Sequence, residues 1–331
     1  MKNLLTIPFL TITILASMIS CTEVKEVNPE ADEPTEQAKP SSEEPKEDEG
    51  NEEEKKEEDN QSENFGTILN AVTPTGYEVK MDQQYGSNKF QKYDVYVPIL
   101  SSEDSEKKSV SVVLVHGGGW SLLDKSFLSE VVEEFKKQKL NVTIFNINHR
   151  LAGIDGTTFP DIMQDFDLFF AHHQGLKASL NLRDEVVMWG YSSGGHLCLT
   201  YSYKNPDKDI RAVAAVAAPT DLTRKTIHDE IIDDKNRNLT ELLIGQDFDS
   251  NPQAYRNASP IYAVNSNCPQ TILFYGAQDD LVEKEQGSSL HSRLKSNGVF
   301  SEYNVLPGAT HQMKGQMNKI VNMTAVFLEK L

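Results

Sequence analysis

An apolar run, Val186-Val187-Met188-Trp189, feeds into Gly190-Tyr191-Ser192-Ser193-Gly194, and a helix-compatible segment follows from Gly195-His196 onward. Strand, sharp Gly-flanked turn and helix form the context in which a serine hydroxyl is thrust out at the end of a sheet. A residue held at such a turn occupies strained backbone. Its neighbours two before and two after must be small, because strand and helix backbones approach closely there. Ser192 is therefore the candidate nucleophile, and the rest of the chain tests that assignment.

Downstream and upstream, the chain alternates strand-like and helix-like segments. Tyr93-Asp94-Val95-Tyr96-Val97-Pro98 alternates as an early strand does. Val110 to Val115 and Val142 to Ile147 are near-continuous apolar runs, the mark of strands buried on both faces. Further strands are expected at Val186 to Trp189, Ala212 to Ala217, Thr271 to Tyr275 and Tyr303 to Leu306. Between them, Ser126 to Lys139 reads as one helix with Phe127, Leu128, Val131, Val132 and Phe135 on its apolar face. Pro160 to Gln174 reads as a helix opening on proline, with Ile162, Phe166, Phe169 and Phe170 on one side, and Gln316 to Leu331 as the last helix. This alternation specifies an α/β fold with a mostly parallel central sheet and helices on both faces. No internal repeat and no second core appear, so residues 65–331 make one domain. Residues 223–257 form a polar excursion expected near the mouth of the site, as a small cap.

A serine hydroxyl is barely ionised at neutral pH and needs a base to take its proton. Of eight histidines, His311 lies in a loop, Leu306-Pro307-Gly308-Ala309-Thr310-His311, between the last strand and the last helix. His172, His173 and His291 sit in helix-like stretches instead. An acid that orients the base belongs between Ser192 and His311 in chain order. Asp279 is the first carboxylate past the strand ending at Tyr275, and Asp280 is the neighbour that could replace it. His116-Gly117-Gly118-Gly119-Trp120 follows a buried strand. Its glycines allow backbone N–H groups to come close to the substrate and to join that of Ser193 around a developing oxyanion. Trp120 and Tyr191 are expected to line the substrate pocket. No cofactor or metal is expected. Asp234 to Asn238 and Asp247 to Asn251 begin like calcium loops but fail at Leu239, Gly245 and Pro252.

The formal net charge of −18 is unevenly spread. Residues 22–64 hold 18 Asp+Glu against 5 Lys+Arg, whereas residues 65–331 hold 32 against 26. The latter part is only mildly acidic and has no clustered basic face, which excludes a nucleic-acid surface. Residues 22–64 have almost no large apolar side chains and cannot bury enough surface to offset ordering entropy; a disordered acidic tether is expected. Before them, Lys2 and the apolar Leu4 to Ile19 form an export leader too short to span a membrane. Of three cysteines, Cys198 and Cys268 fall in the domain, where they can pair in an oxidising compartment or pack as separate small thiols.

Met18-Ile19-Ser20-Cys21 resembles the lipobox of bacterial lipoproteins. That resemblance implies cleavage before Cys21, removal of residues 1–20, lipidation of the Cys21 thiol and anchoring to the bacterial cell membrane or outer membrane. From about Tyr93 to Leu331 the chain resembles the α/β-hydrolase superfamily. Within it, the chain is similar to the hormone-sensitive-lipase-like esterases, especially the bacterial feruloyl and acetyl-xylan esterase-like branch. The resemblance rests on Tyr93 to Pro98, His116 to Trp120, Phe159-Pro160 with Asp165, Gly190 to Gly195, Ala258-Ser259-Pro260-Ile261, Gly276 to Val282 and Pro307 to His311. It implies an α/β-hydrolase fold, a Ser192–Asp279–His311 triad, and oxyanion donors from Gly118, Gly119 and Ser193. Two departures stand out: Asn148-His149-Arg150-Leu151 where the family usually has Tyr-Arg-Leu, and Tyr191 where many relatives carry Asp. The expected activity is an exported serine carboxylesterase acting on small-molecule or polysaccharide esters. A peptidase, formamidase or lactonase with the same triad, and a non-catalytic surface-displayed binding module, are the alternatives.

Overall fold

A computed structural model describes residues 64–233 and 235–331. The leader, Cys21 and the acidic tether, apart from its last residue Asn64, lie outside the described residues. Eight strands form one sheet: β1 Gly76–Gln84, β2 Lys92–Ile99, β3 Ser109–Val115, β4 Val142–Ile147, β5 Leu182–Tyr191, β6 Ile210–Val216, β7 Gln270–Gly276 and β8 Ser301–Leu306. Their spatial order is β1-β2-β4-β3-β5-β6-β7-β8. β2 runs antiparallel to both β1 and β4, and every pairing from β4 to β8 is parallel.

Alternate residues of the central strands feed two separate cores, because successive side chains of a strand point to opposite faces. On one face Val113, Val115, Met188, Val213, Ala215 and Leu273 pack under α3 (Phe159–Leu176), α4 (Ser193–Lys204) and α8 (Glu285–Ser296). On the other, Val112, Leu114, Val187, Trp189, Ala214 and Ile272 pack under α1 (Phe65–Leu69), α2 (Ser129–Lys137) and α9 (Met317–Leu328). Continuous apolar runs are thus the consequence of two buried faces. α4 is the most enclosed helix, with every residue from Ser193 to Tyr203 buried. The α/β-hydrolase arrangement, a mostly parallel sheet covered on both faces, is the architecture the alternation specified.

Three local differences from the sequence reading have physical causes. β1 is not among the expected strands: Tyr77, Val79 and Met81 alternate with Glu78, Lys80 and Asp82 over a short stretch, and this edge strand is largely exposed, so the alternation does not mark a buried face. The helix expected from Ser126 begins instead as a 3-10 turn, Lys125–Leu128, whose Ser126 N–H donates to Asp124; α2 starts only at Ser129. Phe127 consequently leaves the apolar face and is 45% exposed. The 223–257 excursion contains α5 (Lys225–His228), α6 (Leu239–Ile244) and α7 (Pro252–Ala258). Its calcium-like residues act in turns: Asn238 caps α6 by accepting from Thr240 and Glu241 N–H, and Asp247 accepts from Ser250 N–H. Cys198 and Cys268 are both free and buried.

Candidate active site

β5 ends at Tyr191, and α4 begins at Ser193, leaving Ser192 as the single residue of the bend. Its φ of 52° and ψ of −122° lie outside the regions an L-residue prefers. Such a conformation costs on the order of 1–3 kcal/mol and persists only where the surroundings impose it. Here they do: the Ser192 N–H donates to Val216 O at 2.7 Å, and the Ser192 carbonyl accepts from His196 N–H at 3.1 Å. The flanking glycines are required by space. A Cβ on Gly190 would lie 2.5 Å from the Gly194 carbonyl carbon, and one on Gly194 would overlap the carbonyl oxygens of Val115 and His116.

His311 arrives from the loop between β8 and α9. Its Nε2 is 2.9 Å from Ser192 Oγ. Its Nδ1 is 3.0 and 3.1 Å from the two carboxylate oxygens of Asp279. The carboxylate accepts, so Nδ1 donates, Nε2 is left with a lone pair, and Ser192 donates to it. The acid loop and the histidine loop are tied to each other: Ala277 N–H donates to Leu306 O, and Gln278 N–H to Ala309 O. Asp279 is fixed further by Leu281 and Val282 N–H groups, which donate to its Oδ1 at 3.0 and 2.8 Å. Asp280 is exposed, and among the described residues it makes no hydrogen bond to His311.

The glycine loop runs beside this line. A Cβ on Gly117 would sit 3.2 Å from Ser192 Cβ, so the loop touches the nucleophile. Gly118 (φ 112°) and Gly119 (φ 57°) use backbone space that favours glycine. Gly118 O accepts from Ser121 and Leu122 N–H, while neither Gly118 N–H nor Gly119 N–H has an acceptor among the described residues. Ser193 opens α4, so its N–H belongs to the first turn, where helices leave donors unused. Leu239 of α6 abuts Gly119, which places the 223–257 excursion against this loop.

Two expected pocket residues do something else. Trp120 is 1% exposed, its indole N–H donates to His196 Nδ1 at 3.0 Å, and it belongs to the core under α4. It offers almost no surface to a substrate. Its backbone is left-handed (φ 61°). Tyr191 is likewise buried. Its hydroxyl donates to the His311 carbonyl, and its ring meets Phe127 edge-on at 5.4 Å and His311 at 6.1 Å. Burial, and then the nearby Asp279 carboxylate, push its pKa up, so it stays a donor. Tyr191 is thus a strut under the histidine loop, a role that sequence reading missed because the partner lies 120 residues away. The histidines of the helix-like stretches are engaged elsewhere: His172 pairs with Tyr93, His173 with Ser111 and His291 with Ser301. A cavity of about 270 Å³ lined by Phe170, His173, Lys177 and Asp209 lies toward the starts of β5 and β6, away from Ser192, and neither Ser192, Asp279 nor His311 lines it.

Comparison with known proteins agrees with this architecture. Residues 93–294 match the model of the BD-FAE family. Esterase LipC of Mycobacterium tuberculosis is 26% identical over 140 residues, a match covering 39% of this chain and 35% of that protein; the chain therefore spans about a third of this curated relative. Among solved structures, a truncated carbohydrate esterase from gut microbiota superimposes with a TM-score of 0.65 at 19% identity, covering 78% of this chain and all of that one. An acetyl ester-xyloside bifunctional hydrolase from Caldicellulosiruptor lactoaceticus gives a TM-score of 0.60 at 17% identity over 78% and 97% of the two chains. These likenesses concern the fold, whereas the family match spans more than half of the sequence: the chain belongs to the BD-FAE family of esterase-type α/β-hydrolases.

Proposed function

We propose that the chain is a serine carboxylesterase in which Ser192 is the nucleophile. The observation that carries this reading is the continuous line from Ser192 Oγ through His311 to Asp279, at 2.9 and 3.0 Å, with the serine held at a left-handed bend. His311 Nε2 takes the Ser192 proton as Oγ attacks the ester carbonyl. Asp279 accepts the Nδ1 proton's hydrogen bond, fixes the tautomer and stabilises the imidazolium. The Gly118, Gly119 and Ser193 N–H groups hold the oxyanion. His311 then returns the proton to the departing alcohol. An acyl-enzyme on Ser192 remains, and a water deprotonated by His311 releases the acid.

Ser192→Ala removes the attacking atom and keeps the bend. Hydrolysis of p-nitrophenyl acetate should fall by at least about 10³-fold, with the circular dichroism spectrum unchanged. Wild-type turnover in that variant would sink the assignment. For substrate, we propose acyl groups carried on polysaccharides. The support is the family and the names of two neighbours, a carbohydrate esterase and an acetyl ester-xyloside hydrolase. Rates across acetyl, butyryl, longer acyl and feruloyl esters and acetylated xylan test it; preference for a long-chain lipid ester over every sugar ester would overturn it. Export and lipid anchoring through Cys21 are proposed from the leader alone. Incorporation of labelled palmitate in a bacterial host, lost in Cys21→Ala, is the expected result.

A further inference from the structure

His116 and His149 lie one and two residues past the ends of β3 and β4, strands that pair in parallel with Val115 opposite Ile147. Their imidazoles stack face to face, with centroids 4.6 Å apart and planes 6° from parallel. Both residues are 1% exposed. His116 Nδ1 is 2.7 Å from Gly117 O, and His149 Nδ1 is 2.7 Å from Arg150 O. A carbonyl only accepts, so each Nδ1 carries a proton. Each Nε2 is buried with no protein hydrogen-bond partner among the described residues. A second proton on either ring would have no acceptor, so the pair is neutral. Burial acts the same way, pushing His149 down and, together with the neighbouring ring, His116 down to about 3.

The pair bears on the oxyanion loop through peptide geometry. In a planar trans peptide, C=O and the following N–H point in opposite directions. Tying Gly117 O to His116 therefore turns the Gly118 N–H away from that ring. Gly118 O, held by Ser121 and Leu122 N–H, does the same for the Gly119 N–H. His149 is in turn a firm backstop. Arg150 donates through its backbone N–H and its Nε to Asp165, both at 2.7 Å, and the fully buried Asp165 also accepts from Gln91. A second tie joins the loops where Ala152 N–H donates to Trp120 O at 3.0 Å.

We propose that His149, stacked on His116, is a positioning residue for the oxyanion hole: it holds the His116 Nδ1–H on the Gly117 carbonyl and thereby keeps the Gly118 N–H aimed at the developing charge. The proposal rests on the reading of Ser192 as nucleophile. It is tested on the full chain with p-nitrophenyl acetate, a trifluoromethyl ketone as transition-state analogue, and a fluorophosphonate label for Ser192. His149→Leu keeps the volume and removes the ring face. His149→Phe restores the face without nitrogens. Displacing one donor should lower kcat about 10- to 100-fold. KM should stay within about threefold, and ketone affinity should fall by the same factor as kcat. His149→Phe should recover most of the lost kcat. A purely structural role would lower the melting temperature while the folded fraction kept its wild-type kcat, and that result, or equal losses in the Leu and Phe variants, overturns the proposal. If His149→Leu does not fold, His149→Gln, which keeps an N–H for Arg150 but no ring face, carries the same expectation and the same overturning result. A wild-type chain that neither labels nor turns over would overturn the underlying nucleophile reading; one that does both, with His149→Leu at full kcat, overturns only the positioning role.

Discussion

The Asp279 carboxylate accepts from the Leu281 and Val282 N–H groups and from His311 Nδ1, and its side chain is fully buried. The two backbone donors fix which way the carboxylate faces, and that direction sets the tautomer of His311. Replacing Asp279 with Asn turns one oxygen into an NH2 group. With its remaining oxygen on the two backbone donors, the amide presents N–H to Nδ1. His311 then carries its proton on Nε2 and has no lone pair for Ser192. In the proposed mechanism kcat should therefore drop by about 10³–10⁴ while the bend and the fold persist. Steady-state kinetics with p-nitrophenyl acetate measure this, and a loss of less than tenfold would remove Asp279 from the mechanism. Tyr191 supports the same imidazole from below. By donating to the His311 carbonyl it fixes the backbone from which the imidazole projects.

Elements position these residues by converging at one end of the sheet. Ser192 follows β5, the glycine loop follows β3, Asp279 follows β7 and His311 follows β8, so four strand ends supply the site. α8 is tied to the segment after β6 by the buried Gln286, beside a more exposed bond from Arg224 to Ser289. Gln286 is fully buried, and its Oε1 accepts from Thr220 N–H at 2.9 Å, Asp221 N–H at 2.8 Å and the Thr220 hydroxyl. Gln286→Leu would leave two backbone donors without an acceptor, at about 1–3 kcal/mol each. Urea denaturation should show a loss of about 2–4 kcal/mol, and a variant within 0.5 kcal/mol of wild type would disprove the tie. Gln286 was invisible in the sequence because a polar residue on a polar helix looks like a solvated one. The central strands were legible for the opposite reason. Burial on both faces writes itself as near-continuous apolar runs at Val110 to Val115 and Val142 to Ile147, whereas the edge strand β1 carries only the short alternation of Tyr77, Val79 and Met81 with charged residues and is largely exposed. That Ser192, Asp279 and His311 would meet was legible from their order and loop positions. The stack of His116 on His149 and the strut at Tyr191 depend on which strand ends become neighbours, and that is a property of topology rather than of local sequence.

At the scale of the whole molecule, buried neutral histidines couple folding to pH. His116, His149, His173 and His196 are each at most 2% exposed. Burial is the leading cause that lowers all four, to about 3 for His116 and His196 and about 4 for His173. In the unfolded chain a histidine titrates near pH 6.5. Below that pH the unfolded state binds protons that the folded state refuses, so stability falls as pH falls. The contribution is fully present above about pH 6.5 and is lost progressively toward the folded values near 3–4. Carboxylates add their own loss only lower, since groups such as Asp124 and Asp161 are held below the usual carboxylate range, by side-chain and backbone hydrogen bonds respectively. The window from pH 7 to 5 therefore isolates the histidines. Each uncoupled histidine contributes up to about 1.4 kcal/mol per pH unit. Urea midpoints should fall steadily across that window. His173 lies away from Ser192 and bonds Ser111 through Nε2 at 2.7 Å. His173→Gln keeps a polar partner for Ser111 and removes one titrating group, so the dependence of stability on pH between 7 and 5 should become shallower by about one histidine's share. A wild-type stability that is flat from pH 7 to 5 would contradict the coupling.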